Sequence, residues 1–250
     1  MFAELSLIQT LLVALLFVWS AFVRSGLGFG GAALTLPLLL LVHDDPLVFL
    51  PVIALHLLIF SSWTVKRAAG TVNWPYLRRL LLILLVPKLA GIYGLLNLPA
   101  AAMTGFVYIV TLGYALSYVL GLRWRGASRF DLPMLWLGGY MSGASLIGAP
   151  LIVAVATRHL AAAQLRTTLF VLWFILVVIK MAAFVAAGVD LQLPAALALL
   201  PPALVGHLLG ERLHARMVAS GQNTLIRWIG AGLILVSLVG LGRLAAGYFT

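Results

Sequence analysis

The chain has 250 residues, 64% of them hydrophobic and 9% charged, with a mean hydropathy of +1.15. A water-soluble domain of this length cannot enclose that much apolar side chain, and the apolar runs are continuous rather than alternating, which excludes a membrane β-barrel. The net charge of +10 comes with no cysteine, which rules out disulfides, thiolate metal sites and a cysteine nucleophile, and no polar domain is present to carry nucleic-acid binding.

Taken in chain order, helical segments are predicted at 4–24, 31–42, 46–66, 75–96, 99–121, 131–143, 147–158, 161–187, 192–216 and 223–247. The run at Leu5–Val23 is too long for a signal-peptide core and is read as a mature helix. Pro46, Pro75, Pro99, Pro133 and Pro194 stand near helix starts, where a missing N–H matters least. Pro37, Pro51, Pro87, Pro201 and Pro202 fall inside the runs and are expected to kink them.

The chain repeats itself weakly. "SGLGFGGA" from Ser25 resembles "SGASLIGA" from Ser142, and "VPKLAGIYG" from Val86 resembles "PPALVGHLLG" from Pro201. "GTVNW" from Gly70 pairs more loosely with "GVDLQ" from Gly188. The offset stays near 115 to 118 residues, as in Gly91 with Gly206 and Ser25 with Ser142. The expected division is a first transmembrane repeat at 1–121, a basic cytoplasmic connector at 122–130 and a second repeat at 131–250.

Lys66, Arg67, Arg78 and Arg79 flank one loop, and Arg123, Arg125 and Arg129 mark the connector. Arg158 and Arg166 mark a third basic loop, and Arg212, Arg216 and Arg227 a fourth. These loops are placed inside, and the acidic breaks "HDD" at 43–45 and "GVD" at 188–190 outside. Residues 131–158 must then enter and return on one side. Each arm has about twelve residues, roughly 18 Å of helix, too short to span. The expectation is a re-entrant hairpin with "GASLIGAP" at its tip, matched in the first half by 4–42. Each half then has three crossings and a glycine-tipped hairpin, and an odd number of crossings makes the halves an inverted-topology pair.

An irregular tip at membrane depth is tolerated only inside protein or beside a water-filled cavity. Each tip precedes a short helix, whose N-terminal N–H groups and dipole favour an anion. Gly28, Gly30, Gly31 and Ala32 in the first tip, with Ser145, Gly148 and Ala149 in the second, are therefore candidate anion contacts. The competing reading is that these glycines only allow helices to pack closely.

With these motifs on the page, the chain resembles the TauE/SafE sulfite exporter family. The resemblance rests on "GLGFGGAALTLPLLL" in the first half and "SGASLIGAPLIVAVATRHLAAAQLRTT" in the second. It continues through "VGHLLGERLHARM" and "IRWIGAGLILVSLVGL" near the end. It covers nearly the whole chain. It implies a multi-pass protein of the bacterial inner membrane that exports sulfite, sulfoacetate or a related organosulfur anion. In "QLRTT" it adds Arg166 and Thr167 as candidate substrate contacts, with a helix anchor at the inner interface as the alternative for Arg166.

Ionisable residues inside apolar helices are expensive and read first as functional. Arg24 precedes the first glycine cluster and can neutralise an anion, with a cytoplasmic positive-inside anchor as the alternative; Lys88 lies in mid-helix beside Pro87 and can contact substrate or couple a proton. His56, His207 and Lys180 are candidates for a coupling proton or ion, against packing histidines and a lysine that reaches the outer interface. Thr35, Ser61, Ser62 and Ser142 are further hydroxyl donors, though back-bonding within the helix is their commoner fate.

No catalytic constellation, metal-ligand spacing or cofactor motif accompanies them. "GLGFGG" resembles a dinucleotide loop but follows no strand. The reading is a secondary carrier for a small anion, working by alternating access around a midplane site between the two tips. The expected partners are that anion and the lipid bilayer, with a coupled proton or other ion and an oligomeric assembly both compatible with the sequence. The alternatives are an uncoupled channel-like facilitator and, from a different class, an integral-membrane enzyme or assembly factor.

Overall fold

The computed structural model describes residues 5–27, 31–121, 128–219 and 223–248. Every regular element among them is helical. In chain order the α-helices are α1 (Leu7–Leu27), α2 (Gly31–Leu39), α3 (Pro46–Ala68), α4 (Trp74–Asn97) and α5 (Ala100–Val119). They continue with α6 (Asp131–Ser145), α7 (Ala149–His159), α8 (Ala162–Ala186), α9 (Leu193–Ala198), α10 (Leu200–Ala219) and α11 (Asn223–Tyr248). Five helices among the described residues are long and apolar enough to cross a membrane: α1, α4, α5, α8 and α11. Their outward faces are apolar, with Leu82 76% and Trp228 74% exposed, as a lipid-facing surface requires.

Two differences from the sequence expectation concern proline. The predicted helix at 192–216 is two helices, α9 and α10, separated at Leu199. Pro201 and Pro202 remove two consecutive N–H donors, and their rings crowd the carbonyls four residues back, so a new helix starts there. Both prolines then occupy the first turn of α10, where those donors are not needed. By contrast, α2, α3 and α4 run without interruption through Pro37, Pro51 and Pro87.

The chain folds as two compact units, each assembled from separate stretches of sequence. Unit 1 comprises Met1–Phe49, Leu98–Trp124 and Leu197–Thr250. Within it α1 packs along α10, α5 along α11, and α2 against α1, α5 and α11. Gly206 and Gly210, one turn apart on α10, face the backbone of Val18 and Phe22 on α1, and a Cβ at either would overlap it. Small residues spaced by four allow this backbone approach, which van der Waals contact stabilises when lipid supplies no hydrophobic drive. Gly240 of α11 likewise lies against the ring of Tyr108, and Val23, Leu34, Ala115 and Leu233 form a buried cluster.

Unit 2 comprises Leu50–Asn97 and Arg125–Ala196. Here α4 packs along α6, and α7 and α8 close around them. The seam uses the same device: Gly91 of α4 faces the backbone of Tyr140 and Ala144, and Gly143 of α6 faces that of Lys88 and Ile92. α6 and α7 form an antiparallel hairpin. Its base is tied where Asp131 receives Arg158 through one oxygen and His159 Nε2 through the other at 2.7 Å. The turn before α4 is held to α8 by Thr71–Thr167, Asn73–Gln164 and Asn73–Thr168 hydrogen bonds.

Candidate functional site

The chemistry of unit 2 concentrates where α6 ends. Leu146 adopts a left-handed conformation (φ 60°), and its N–H bonds the Ser142 carbonyl at 3.3 Å. For a leucine this conformation costs roughly 1–2 kcal/mol and marks a backbone held by its surroundings. The chain turns through Ile147 and Gly148 and enters α7 at Ala149, with Pro150 in the first turn. Gly148 sits against the Gly138 carbonyl, so a side chain there would push the two arms apart. This gives the glycine a packing role at the tip.

Two lysines reach this helix end from different helices. Lys88 of α4 donates to the carbonyl of Ser142 at 3.3 Å and to its hydroxyl at 3.2 Å. Lys180 of α8 donates to the carbonyl of Gly143 at 2.6 Å and lies 5.4 Å from the centroid of the Phe184 ring. Both lysines are 0% exposed. The partners are consecutive carbonyls in the last turn of α6, a region that leaves carbonyls without intrahelical donors and carries the negative end of the helix dipole. Among the described residues no carboxylate forms an ion pair with them. The ion pairs among the described residues engage only Asp131 and Glu211. Asp131 begins α6, eleven residues or about 17 Å of helix from Ser142.

Ser145 is also buried at this end, its hydroxyl turned back to Met141 at 3.1 Å, and Ala149 is half-buried at the start of α7. Lys180, read from sequence as a coupling group or interface lysine, therefore joins Lys88 at the second tip. Arg166 and Thr167 do not. They lie near the start of α8, Arg166 exposed with its guanidinium 5.6 Å from the Phe170 ring and Thr167 bonded to Thr71. Fourteen residues of one helix, about 21 Å, separate Arg166 from Lys180.

His56 is buried in α3 with Nε2 2.8 Å from the Ala196 carbonyl. Ser61 is buried, and Ser62 is turned back onto Ile59.

In unit 1, Gly28 and Gly30 lie outside the described residues. Gly31 and Ala32 open α2, and both are buried. A Cβ on Gly31 would meet the Ser20 carbonyl and Arg24, so this glycine too serves close packing. Arg24 is 8% exposed in the last turn of α1. Thr35 is fully buried, with no hydrogen-bond partner for its hydroxyl among the described residues. His207 approaches Glu211 at 3.5 Å on α10, and its carbonyl accepts the Ser25 hydroxyl at 3.0 Å.

Sequence reading missed the tie between Asp131, Arg158 and His159, and the cavity beside it. The available signal was an acidic first residue of α6 facing a basic pair at the end of a hairpin of known arm length.

The helical elements and the five apolar membrane-length helices among the described residues define the class: a multi-pass helical membrane protein. Residues 12–241 match the family model described as "Sulfite exporter TauE/SafE". The chain belongs to that family, which consists of membrane transporters for sulfur anions. No curated protein and no solved structure matches the chain.

Proposed function

We propose that the chain is a secondary carrier that exports a small sulfur anion, sulfite or an organosulfonate such as sulfoacetate, across the bacterial inner membrane. The observation that carries this reading is the pair Lys88 and Lys180, fully buried on adjacent carbonyls and in no ion pair among the described residues. The C-terminus of α6 offers only about −0.5 of a charge, and the N-terminus of α7 about +0.5, so the helix ends roughly cancel. An arriving oxyanion favours the protonated form of both amines, and the charge they then carry neutralises it. The Ser142 hydroxyl and the backbone N–H groups from Ile147 to Ala149 supply the remaining donors around it. A structural role is the competing account, since a lysine also caps the carbonyls of a broken helix.

The inverted-repeat reading has its own support. By the sequence repeat α1 corresponds to α6 and α4 to α10. The tightest glycine seams are α1 with α10 and α4 with α6, the pairs that the repeat exchanges, while α5 pairs with its counterpart α11. On this reading the chain divides into repeats at 1–121 and 131–250, and Arg24, Gly28, Gly30, Gly31 and Ala32 form the first-half counterpart of the lysine-bearing tip. α6 has 15 residues, about 22 Å, and is re-entrant. α1, with 21 residues or about 31 Å, can run the full thickness. A coupled proton would use His207, beside Glu211, or His56.

The test is radiolabelled sulfite uptake into proteoliposomes. A carrier saturates, and unlabelled sulfite inside the vesicles accelerates uptake by counterflow. Flux without saturation or counterflow would establish the channel-like alternative, and no sulfite- or sulfonate-dependent flux at all would reject both.

A further inference from the structure

A cavity lies in unit 2 at the base of the α6–α7 hairpin, and neither Lys88 nor Lys180 lines it. Its volume is about 280 Å³, and it is lined by Tyr76 and Arg79 of α4, Asp131 and Leu135 of α6, and His159 of α7. This is the small end of the range for ligand pockets. Ile83, Leu135 and Val155 make its walls apolar.

Its polar groups are unevenly satisfied. Both carboxylate oxygens of Asp131 are engaged, one by Arg158 and the other by His159. The Tyr76 ring stacks on His159 at 5.7 Å between centroids, which fixes the direction of its hydroxyl. That hydroxyl is buried and has no hydrogen-bond partner among the described residues. A phenol removed from water without a partner is destabilising, and it points to a ligand oxygen as the missing acceptor. Arg79 adds a guanidinium that takes part in none of the described ion pairs. Arg158 and His159 already engage the Asp131 carboxylate, so the charge of Arg79 is left for a ligand. A guanidinium beside a phenol donor recognises an oxyanion, and the apolar walls have no use for a fully hydrated one.

We infer that this cavity binds an organic anion with an apolar body, its sulfonate, carboxylate or phosphate head on Arg79 and Tyr76 and its body against Ile83, Leu135 and Val155. Such an anion has two sources, a soluble organic acid or the headgroup and upper chain of an anionic lipid. The site stands apart from Lys88 and Lys180, and its existence does not depend on the transport reading.

The experiment is calorimetric titration of the full chain in nanodiscs of zwitterionic lipid with 2-naphthalenesulfonate, against empty nanodiscs. Inorganic sulfate is the headgroup-only control. Arg79→Gln and Tyr76→Phe should each weaken naphthalenesulfonate binding at least about tenfold, the loss expected for one charge-assisted or desolvated hydrogen bond. Arg79 is exposed, and phenylalanine keeps the stacking on His159, so neither variant should disturb folding. The component of this binding that Arg79→Gln and Tyr76→Phe remove should persist in Lys88→Met, which separates failure of the cavity from failure of the lysine site. Sulfate should show no heat that depends on Arg79. Loss of naphthalenesulfonate binding in nanodiscs containing anionic phospholipid identifies the lipid as the occupant, and its persistence there identifies a soluble acid. Binding that is absent, or equal in wild type and both cavity variants, overturns the inference.

Discussion

Replacing Lys88 with methionine separates an anion site from a helix cap. The side chain keeps its length and loses its charge. Its hydrogen bonds to Ser142 are long, at 3.2 and 3.3 Å, and the Ser142 carbonyl retains the N–H of Leu146. The folded protein therefore loses little, and relief of the cost of burying a polar amine offsets that loss. An anion at contact distance, about 4 Å, interacts with one ammonium by about 4 kcal/mol at an effective dielectric constant of 20. With Lys180 still present and water partly replacing the lost partner, about 2.7 kcal/mol of binding should disappear, a hundredfold rise in sulfite Kd. Lys180→Met should weaken sulfite equally but also lower thermal stability. The Gly143 carbonyl would lose its donor at 2.6 Å, and an unsatisfied buried carbonyl costs about 1–3 kcal/mol. The assay is calorimetric titration with sulfite beside a melting curve for each variant. If Lys88→Met melts like wild type and binds sulfite within about twofold, the lysines are helix caps and the substrate lies elsewhere.

Gly91→Leu and Gly143→Leu should give little folded protein on size-exclusion chromatography, because each Cβ lands on the backbone of the opposing helix; normal yields of both would refute the seam. Asp131→Asn should lower the melting temperature by a few degrees, since the base of the hairpin loses charge-assisted bonds to Arg158 and His159 worth about 1–3 kcal/mol together, while sulfite affinity stays unchanged. A cysteine at Ser128 should react only with reagents on the cytoplasmic side, and one at Asp190 only from outside; the reverse pattern inverts the assigned topology.

Much of the helical plan was legible because apolar runs and their breaks are local signals. The split between α9 and α10 was not read, although Pro201 and Pro202 are adjacent. A proline can start a helix or sit within one, and only the carbonyls it meets decide. Pro87, alone inside α4, leaves the helix continuous. Lys88 was legible as a deep cation from its place in an apolar run. That Lys180 converges on the next carbonyl was not, because it depends on how α8 lies against α6, whereas the Gly91 and Gly143 backbone contacts set only α4 against α6. The same contacts explain why glycine counting could not separate a ligand cradle from a packing seam: both need a missing Cβ, and Gly31 and Gly148 show its packing use directly.

The order of assembly follows from how the units draw on the chain. Unit 2 uses one early stretch and one middle stretch, and its last residue is Ala196. Unit 1 begins with α1, yet α1's partner α10 starts at Leu200, and α11 is later still. During synthesis α1 must therefore enter the bilayer with its partner still untranslated, its backbone seam open to lipid or to a guardian protein. Loop closure across that separation adds an entropic cost that rises only slowly with length, but the waiting time rises with every residue made. A ribosome stalled after Ala196 would release a chain whose lysine-bearing unit is complete and whose first helix is still unmatched, the form that a membrane protease would meet first.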